Sequence, residues 1–203
     1  MNTETELNTL GSRRSRAGDI LLYVAAALCA VLIAITAVNA NFSLCLVDGD
    51  SMNPTLVNEQ YVILNNDRDA ECGDIVVFTC DGFDYPLIKR AVATAGQTVK
   101  LGYAEDGTLD LYVDGEMVKE DYLGERMTGD YAYQTGVMLR PGMTVTVPDG
   151  CVFAMGDNRN HSTDSRFARV GFVHTDNIIG EVAAEVSPDG ITEFFVRLLM
   201  GGL

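Results

Sequence analysis

"AEDGTLDLYVDGEMV", residues 104–118, reads as β-structure broken by tight turns. Asp-Gly stands at 106–107 and again at 114–115, on either side of the apolar run Leu109–Val113. Asp-Gly between apolar runs signals a hairpin. The same pattern extends in both directions. Short β-rich runs occur at Tyr61–Leu64, Ile75–Phe78, Leu87–Val92, Thr144–Val147, Val152–Met155 and Ile178–Val186, with Gly, Asp, Asn or Pro between them. Little helical periodicity is visible beyond residue 40. The expected fold class is therefore mostly β, an antiparallel domain. Its most polar, turn-rich stretch, about 99–149, reads as a small β insert in a core built by 51–98 and 150–186.

One segment breaks the β pattern. Ile20–Val38, "ILLYVAAALCAVLIAITAV", is nineteen residues without a charge. As a helix it would be about 28 Å long, close to the hydrocarbon thickness of a bilayer. Arg13, Arg14 and Arg16 precede it, and no Lys or Arg follows until Arg68. The positive-inside rule then puts residues 1–19 in the cytoplasm, a single transmembrane anchor at 20–38 and an extracytoplasmic domain at 39–203. Two alternatives stand beside the anchor. One is a cleaved secretory signal ending at Val38-Asn39-Ala40, although signal h-regions are shorter, about 7–15 residues. The other is a buried core helix. The apolar tail "ITEFFVRLLMGGL", 191–203, is too short to span a membrane. It reads as an interfacial segment or a cover for a sheet edge.

The 203-residue chain carries 14 Lys and Arg against 29 Asp and Glu, a net charge of −15. All of that excess lies beyond residue 38. A phosphate backbone wants a basic face, so nucleic acid is excluded as a partner. Of the five cysteines, Cys45, Cys72, Cys80 and Cys151 fall in the outer part, where oxidation is possible. Cys72 and Cys80 flank "GDIVVFT". On one extended strand they would lie about 26 Å apart, too far to bond. There is no C-x-x-C pair, and no metal or cofactor is called for.

Ser51, in "VDGDSMNPTL" (47–56), is the candidate nucleophile. The G-x-S-x-G elbow fails, because Asn53 stands where the second glycine belongs. A calcium loop fits Asp48, Asp50 and Glu59 but fails at Met52 and Asn53. A Ser-His-Asp arrangement would have to use His161 or His174, the only histidines. A serine can instead give its proton to a neutral lysine. That lysine must sit where burial disfavours its charge, since a free ammonium has a pKa of about 10.4. Of the three lysines, Lys119 stands beside Glu120 and Asp121, and Lys100 borders the polar insert. Lys89, in "YPLIKRAVATAG", lies in the most apolar run. Strand alternation points Lys89 and Arg90 to opposite faces, so one can be buried while the other is wet. Considered alone, Lys89 could equally be a snorkelling surface residue.

The stretch "MGDNRNHSTDSRFARVGFV", 155–173, places Asp157, Asn158, Arg159, Ser162, Asp164, Ser165 and Arg166 directly after an apolar run. So polar a loop beside a core strand needs internal partners. It reads either as a surface turn or as the scaffold of a site.

Five motifs in order carry a resemblance: the N-terminal anchor, "GDSMNPTL", "GDIVVF", "KRAVATAGQTV" and "GDNRNHSTDSR". The chain resembles the bacterial type I signal peptidases, membrane-bound serine proteases that remove signal peptides from exported proteins. "LYVDGEMVKEDYL", 111–123, looks like the family's insert strand. The resemblance implies that Ser51 is the nucleophile and Lys89 the general base. It makes Ser162 the hydroxyl that holds the lysine amine, and Asp164 and Arg166 the ion-paired support. Asp157 and Arg159 would be structural, and the Ser51 N–H an oxyanion donor. Gly49 stands where some members carry a second donor, as in the Gram-positive pattern. His161 occupies a position where the family more often carries Asn. The implied partners are preprotein signal peptides, membrane lipid and nearby secretion machinery, and the implied cut follows small residues in Ala-x-Ala. Two other readings share features: a self-cleaving Ser-Lys protease of the SOS-repressor type, and a membrane-tethered β domain that only binds.

Overall fold

The computed structural model describes residues 16–66 and 70–186. The stretch before Arg16, expected to be cytoplasmic, Arg68 and the apolar tail 191–203 lie outside them. The chain divides into two compact units, Met1–Asn41 and Phe42–Leu203. In the first, helix α1 runs Arg16–Asn41, 26 residues, longer at both ends than the apolar run. The sequence supplies the reason: Ala and Leu, strong helix formers, recur through it, and the weak ones Gly18, Asp19, Asn39 and Asn41 lie near its ends. Among the described residues no helix is long and apolar enough to cross a membrane. The side chains at 34, 35 and 37–40, part of the apolar run, fall outside that description.

The second unit is built from two antiparallel sheets. Strands β1 (Phe42–Leu46), β2 (Tyr61–Asn65), β3 (Ile75–Phe78), β4 (Leu87–Thr94), β9 (Cys151–Met155), β10 (Val173–His174) and β11 (Ile178–Val186) form the larger. Their order is β1-β2-β11-β3-β4-β9-β10. The smaller sheet uses β5 (Thr98–Tyr103), β6 (Leu109–Val113), β7 (Glu116–Met117) and β8 (Thr144–Thr146) in the order β7-β6-β5-β8.

The two Asp-Gly pairs behave differently. Asp114 and Gly115 both take positive φ, 52° and 83°, and join β6 to β7 in a two-residue turn. That is the left-handed geometry a type I′ turn demands. The first pair sits in a longer loop, closed by Ala104 N–H to the Thr108 carbonyl at 2.8 Å and by Thr108 N–H to Asp106.

Residues 42–46, which none of the β-rich runs read from the sequence includes, form β1 on the sheet edge, in register with β2 from Phe42↔Asn65 to Leu46↔Tyr61. β5 also escaped the composition reading. Its alternation is clear, with Val99 and Leu101 buried and Lys100 exposed, but it is short and polar at half its positions.

Packing ties the small sheet to the large one. Val99, Leu101, Leu109 and Leu111 share a buried cluster with Val92, Ala93, Phe153 and Met155. Each such side chain contributes about 1.5–3 kcal/mol when fully buried. A second cluster, Val47, Met52, Leu56, Val62, Leu64 and Val77, fixes the loop between β1 and β2 against the other end of the large sheet. That loop carries Ser51. β4 pairs with β3 on one side and β9 on the other. Lys89 and the polar box after β9 therefore start from adjacent strands.

Candidate active site

Alternation along β4 buries Leu87, Lys89 and Ala91, with Ile88 and Arg90 less buried between them. Lys89 is 3% exposed. Its Nζ lies 2.7 Å from Ser51 Oγ and donates to the Ile88 carbonyl, also at 2.7 Å. Burial lowers its pKa to about 8, against the opposing pull of Asp164 and Asp157. As a charged ammonium Lys89 donates to the serine oxygen; once neutral, its amine accepts the serine proton across the same distance. Among the described residues the Ser51 N–H donates to no acceptor, whereas Gly49 N–H is occupied by Asn58 Oδ1 at 2.7 Å.

The box after β9 clamps the nucleophile loop. Asn158 N–H donates to the Ser51 carbonyl at 3.0 Å, and Asn158 Nδ2 to the Asp50 carbonyl at 3.0 Å. Asp157 accepts from Thr55 Oγ1 at 2.6 Å and takes both Arg90 Nε and Nη2, at 2.9 and 2.6 Å. Arg90 is thus mostly covered, not wet, and its guanidinium stacks 4.1 Å from the Tyr122 ring centre. Gly156 lies between the loops. A Cβ there would stand 2.5 Å from the Ser51 carbonyl oxygen and 2.2 Å from Ser162 Oγ, so only glycine fits.

Asp164 and Arg166 are fully buried and paired twice, Nε to Oδ1 and Nη2 to Oδ2, both at 2.8 Å. Asp164 also accepts from Gly156 N–H at 3.0 Å. Desolvation pushes its carboxyl up, but the Arg166 charge and these hydrogen bonds outweigh it and hold the pKa below the usual range. Arg166 Nη2 reaches the Arg159 carbonyl at 2.7 Å, and Arg159 pairs with Glu120 of the insert at 2.7 Å. The pair therefore braces the loop that holds Ser51.

The expected hydrogen bond from Ser162 to the lysine amine is not made. The amine is engaged by Ser51 and Ile88, while Ser162 Oγ is buried without a partner. It lies near enough to Asp164 to favour the charged carboxylate, short of hydrogen-bond geometry. Neither histidine hydrogen-bonds Ser51 Oγ. His174 is exposed, with Nδ1 accepting from Asp176 N–H. His161 is exposed on the wall of the groove, and Ser51 Oγ is already engaged by Lys89.

That groove, about 440 Å³, runs past Cys45, Leu46, Gly49, Ser51, Tyr85 and Lys89. A cleft of similar size, about 430 Å³, lies elsewhere around Glu71, Thr94 and Cys151 and contains neither Ser51 nor Lys89. All five cysteines are unpaired.

Sequence reasoning missed Arg90, Thr55, Asn158 and Gly156 as parts of the clamp. A polar residue sandwiched in the apolar run of β4 was a usable signal for Arg90. Gly156 and Asn158 lie in the polar box that the sequence already marked, and nothing local marked Thr55.

A serine hydroxyl against a buried amine, on a mostly antiparallel β fold, is the arrangement that a Ser-Lys peptidase requires. Residues 20–186 match the family described as signal peptidase, peptidase S26. Signal peptidase I T of Bacillus subtilis (strain 168) is 32% identical over 185 residues, covering 89% of this chain and 92% of that protein. Signal peptidase I V of the same organism is 35% identical over 168 residues, covering 75% and 90%. The crystal structure of a signal peptidase I from Enterococcus faecalis V583 is 28% identical, with a TM-score of 0.40, covering 57% of this chain and 97% of that one. The chain belongs to the S26 signal peptidase family, among the bacterial type I enzymes, and is a hydrolase. Family membership decides against the reading of a domain that only binds.

Proposed function

We propose that this protein removes N-terminal signal peptides from exported preproteins with Ser51 as nucleophile and Lys89 as general base. The observation that carries the reading is the 2.7 Å contact between Ser51 Oγ and an almost fully buried lysine amine. Ser51 Oγ attacks the carbonyl at the cleavage point as Lys89 accepts its proton. The Ser51 N–H stabilises the oxyanion. The amine of the mature chain leaves with that proton, and water then hydrolyses the acyl-enzyme. The signal peptide's end lies in the groove beside Leu46 and Tyr85 as an added extended segment, with small side chains at −1 and −3, Ala-x-Ala, filling its pockets.

The anchor is Ile20–Val38, single-pass, with the N-terminus cytoplasmic and the catalytic unit outside. It is supported by nineteen uncharged residues behind a cluster of arginines. The site then works near lipid and close to the secretion machinery. The remaining assignments make Asp164 and Arg166 the brace of the site and Ser162 a positioning residue.

The test is a preprotein cleavage assay with the detergent-solubilised full chain, reading the new N-terminus. The pH profile follows from burial. Lys89 is inactive while protonated, so kcat/KM rises with pH through about 8 and levels above it. A profile that activates only near the free-lysine value of about 10.4 would overturn Lys89 as the base. Ser162 Oγ makes no hydrogen bond to the amine at rest, so Ser162→Ala lowers the plateau only by removing a contact formed during the reaction. Equal rates for it and the wild type would remove Ser162 from the site.

Replacing His161 and His174 together with Asn or Gln lowers the rate less than tenfold. Losing a true general base costs about 10²–10⁴-fold. A loss in that range, with folding intact, would return the proton transfer to a histidine.

A further inference from the structure

The signal-peptide groove is one of three clefts that share walls. His161 lines both that groove and a second cleft of about 300 Å³, formed by Asn53, Pro54, Gly124, Glu125 and Asn158. Gly124 and Glu125 in turn line a third, about 410 Å³, along the insert beside Met117, Lys119 and Arg126. The first cleft contains residues before and at the nucleophile, 45–51. The second contains 53–54, just after it. The insert closes on the nucleophile loop here: a Cβ at Gly124 would stand 3.2 Å from Pro54 Cδ. An uncleaved preprotein with its signal end in the first cleft and its scissile bond at Ser51 would run on past that bond toward the second.

We infer that the cleft between the nucleophile loop and the insert receives the first residues of the mature chain, and that Glu125 selects for a cationic side chain there. This rests on the signal-peptidase reading above. Arg126 pairs with Asp110 at 2.7 Å, Glu120 with Arg159 at 2.7 Å, and Asp157 with Arg90 at 2.6 Å. Glu125 is exposed and accepts only from Asn160 Nδ2, at 2.8 Å. Among the described residues it has no cationic partner. It is therefore the acid of this cleft whose charge is left for a ligand. An exposed charge pair of this kind changes selectivity about two- to fivefold and weakens with salt.

The test uses the full chain and three preproteins with one signal peptide, carrying Lys, Ala or Glu within the first four mature positions. The wild type is expected to give a Lys-over-Glu ratio of kcat/KM of about two to five at low salt, collapsing near 1 M salt. Glu125→Lys inverts the ratio, and Glu125→Gln brings it to about one. Asp149→Lys, the same charge change in the turn before β9, keeps the wild-type ratio. Substitution at signal position −3 shifts all variants alike. Wild-type and Glu125→Lys ratios that agree, in an enzyme that cleaves the Ala preprotein, would overturn this inference alone. A wild type that leaves the Ala preprotein intact would overturn the signal-peptidase reading and this one with it.

Discussion

Ser51→Ala and Lys89→Ala each reduce preprotein cleavage at least about 10³-fold, and the double mutant is no worse than either single. The two side chains share one proton across 2.7 Å, so removing either ends the same step. Lys89→Met separates catalysis from stability. Burial lowers the lysine pKa from 10.5 to about 8, so the unfolded chain holds the proton more tightly than the folded one. The penalty is complete below about 8 and disappears as pH rises toward 10.5. At neutral pH an apolar residue of similar length removes it. Lys89→Met is therefore inactive and more stable by roughly 2–3 kcal/mol, measured by urea unfolding at pH 7. Equal stability at pH 7 would mean the lysine is well solvated, and retained cleavage would end its role as base.

Arg166→Met destabilises the fold by about 3–5 kcal/mol, the usual consequence of leaving one buried charge without its partner. Asp164 is fully buried, so water cannot take over from the guanidinium. Its depressed pKa contributes stability that is complete above the carboxylate's usual 3.8 and is lost as pH falls below. The paired change Asp164→Leu with Arg166→Met recovers much of the stability. It does not recover cleavage, because Gly156 N–H loses its acceptor beside the Ser51 carbonyl. Urea midpoints and cleavage rates of the two variants check both halves. A loss below about 1 kcal/mol in Arg166→Met would sink the account.

Much of this site was legible because its chemistry is tied to local pattern. Lys89 stood out as a charge in an apolar strand, and the strand's period of two buries it. Asp114-Gly115 announced its turn because positive φ at both positions restricts the residues allowed. What could not be read depends on contacts distant in sequence. The insertion of β11 between β2 and β3 leaves no local mark, since any apolar run can pair with any other. Arg90 was expected to be wet because alternation gives faces, not what covers them. Its cover, Asp157, comes from 67 residues away. The Ser162 expectation rested on resemblance, and a hydroxyl's partner is set by a few tenths of an ångström that no pattern encodes.

The clamp on the nucleophile loop has a consequence for biogenesis. Asn158 holds a loop 108 residues earlier, Thr55 reaches Asp157 across 102 residues, and nucleophile and base are 38 apart. Ordering such distant partners is slow, and loop-closure entropy is spent before they meet. A nascent chain released only as far as β4 has Ser51, Lys89 and the apolar packing beneath the loop, but not the Asn158 and Asp157 contacts that clamp it. The contacts that complete the clamp thus arrive only with the last third of synthesis.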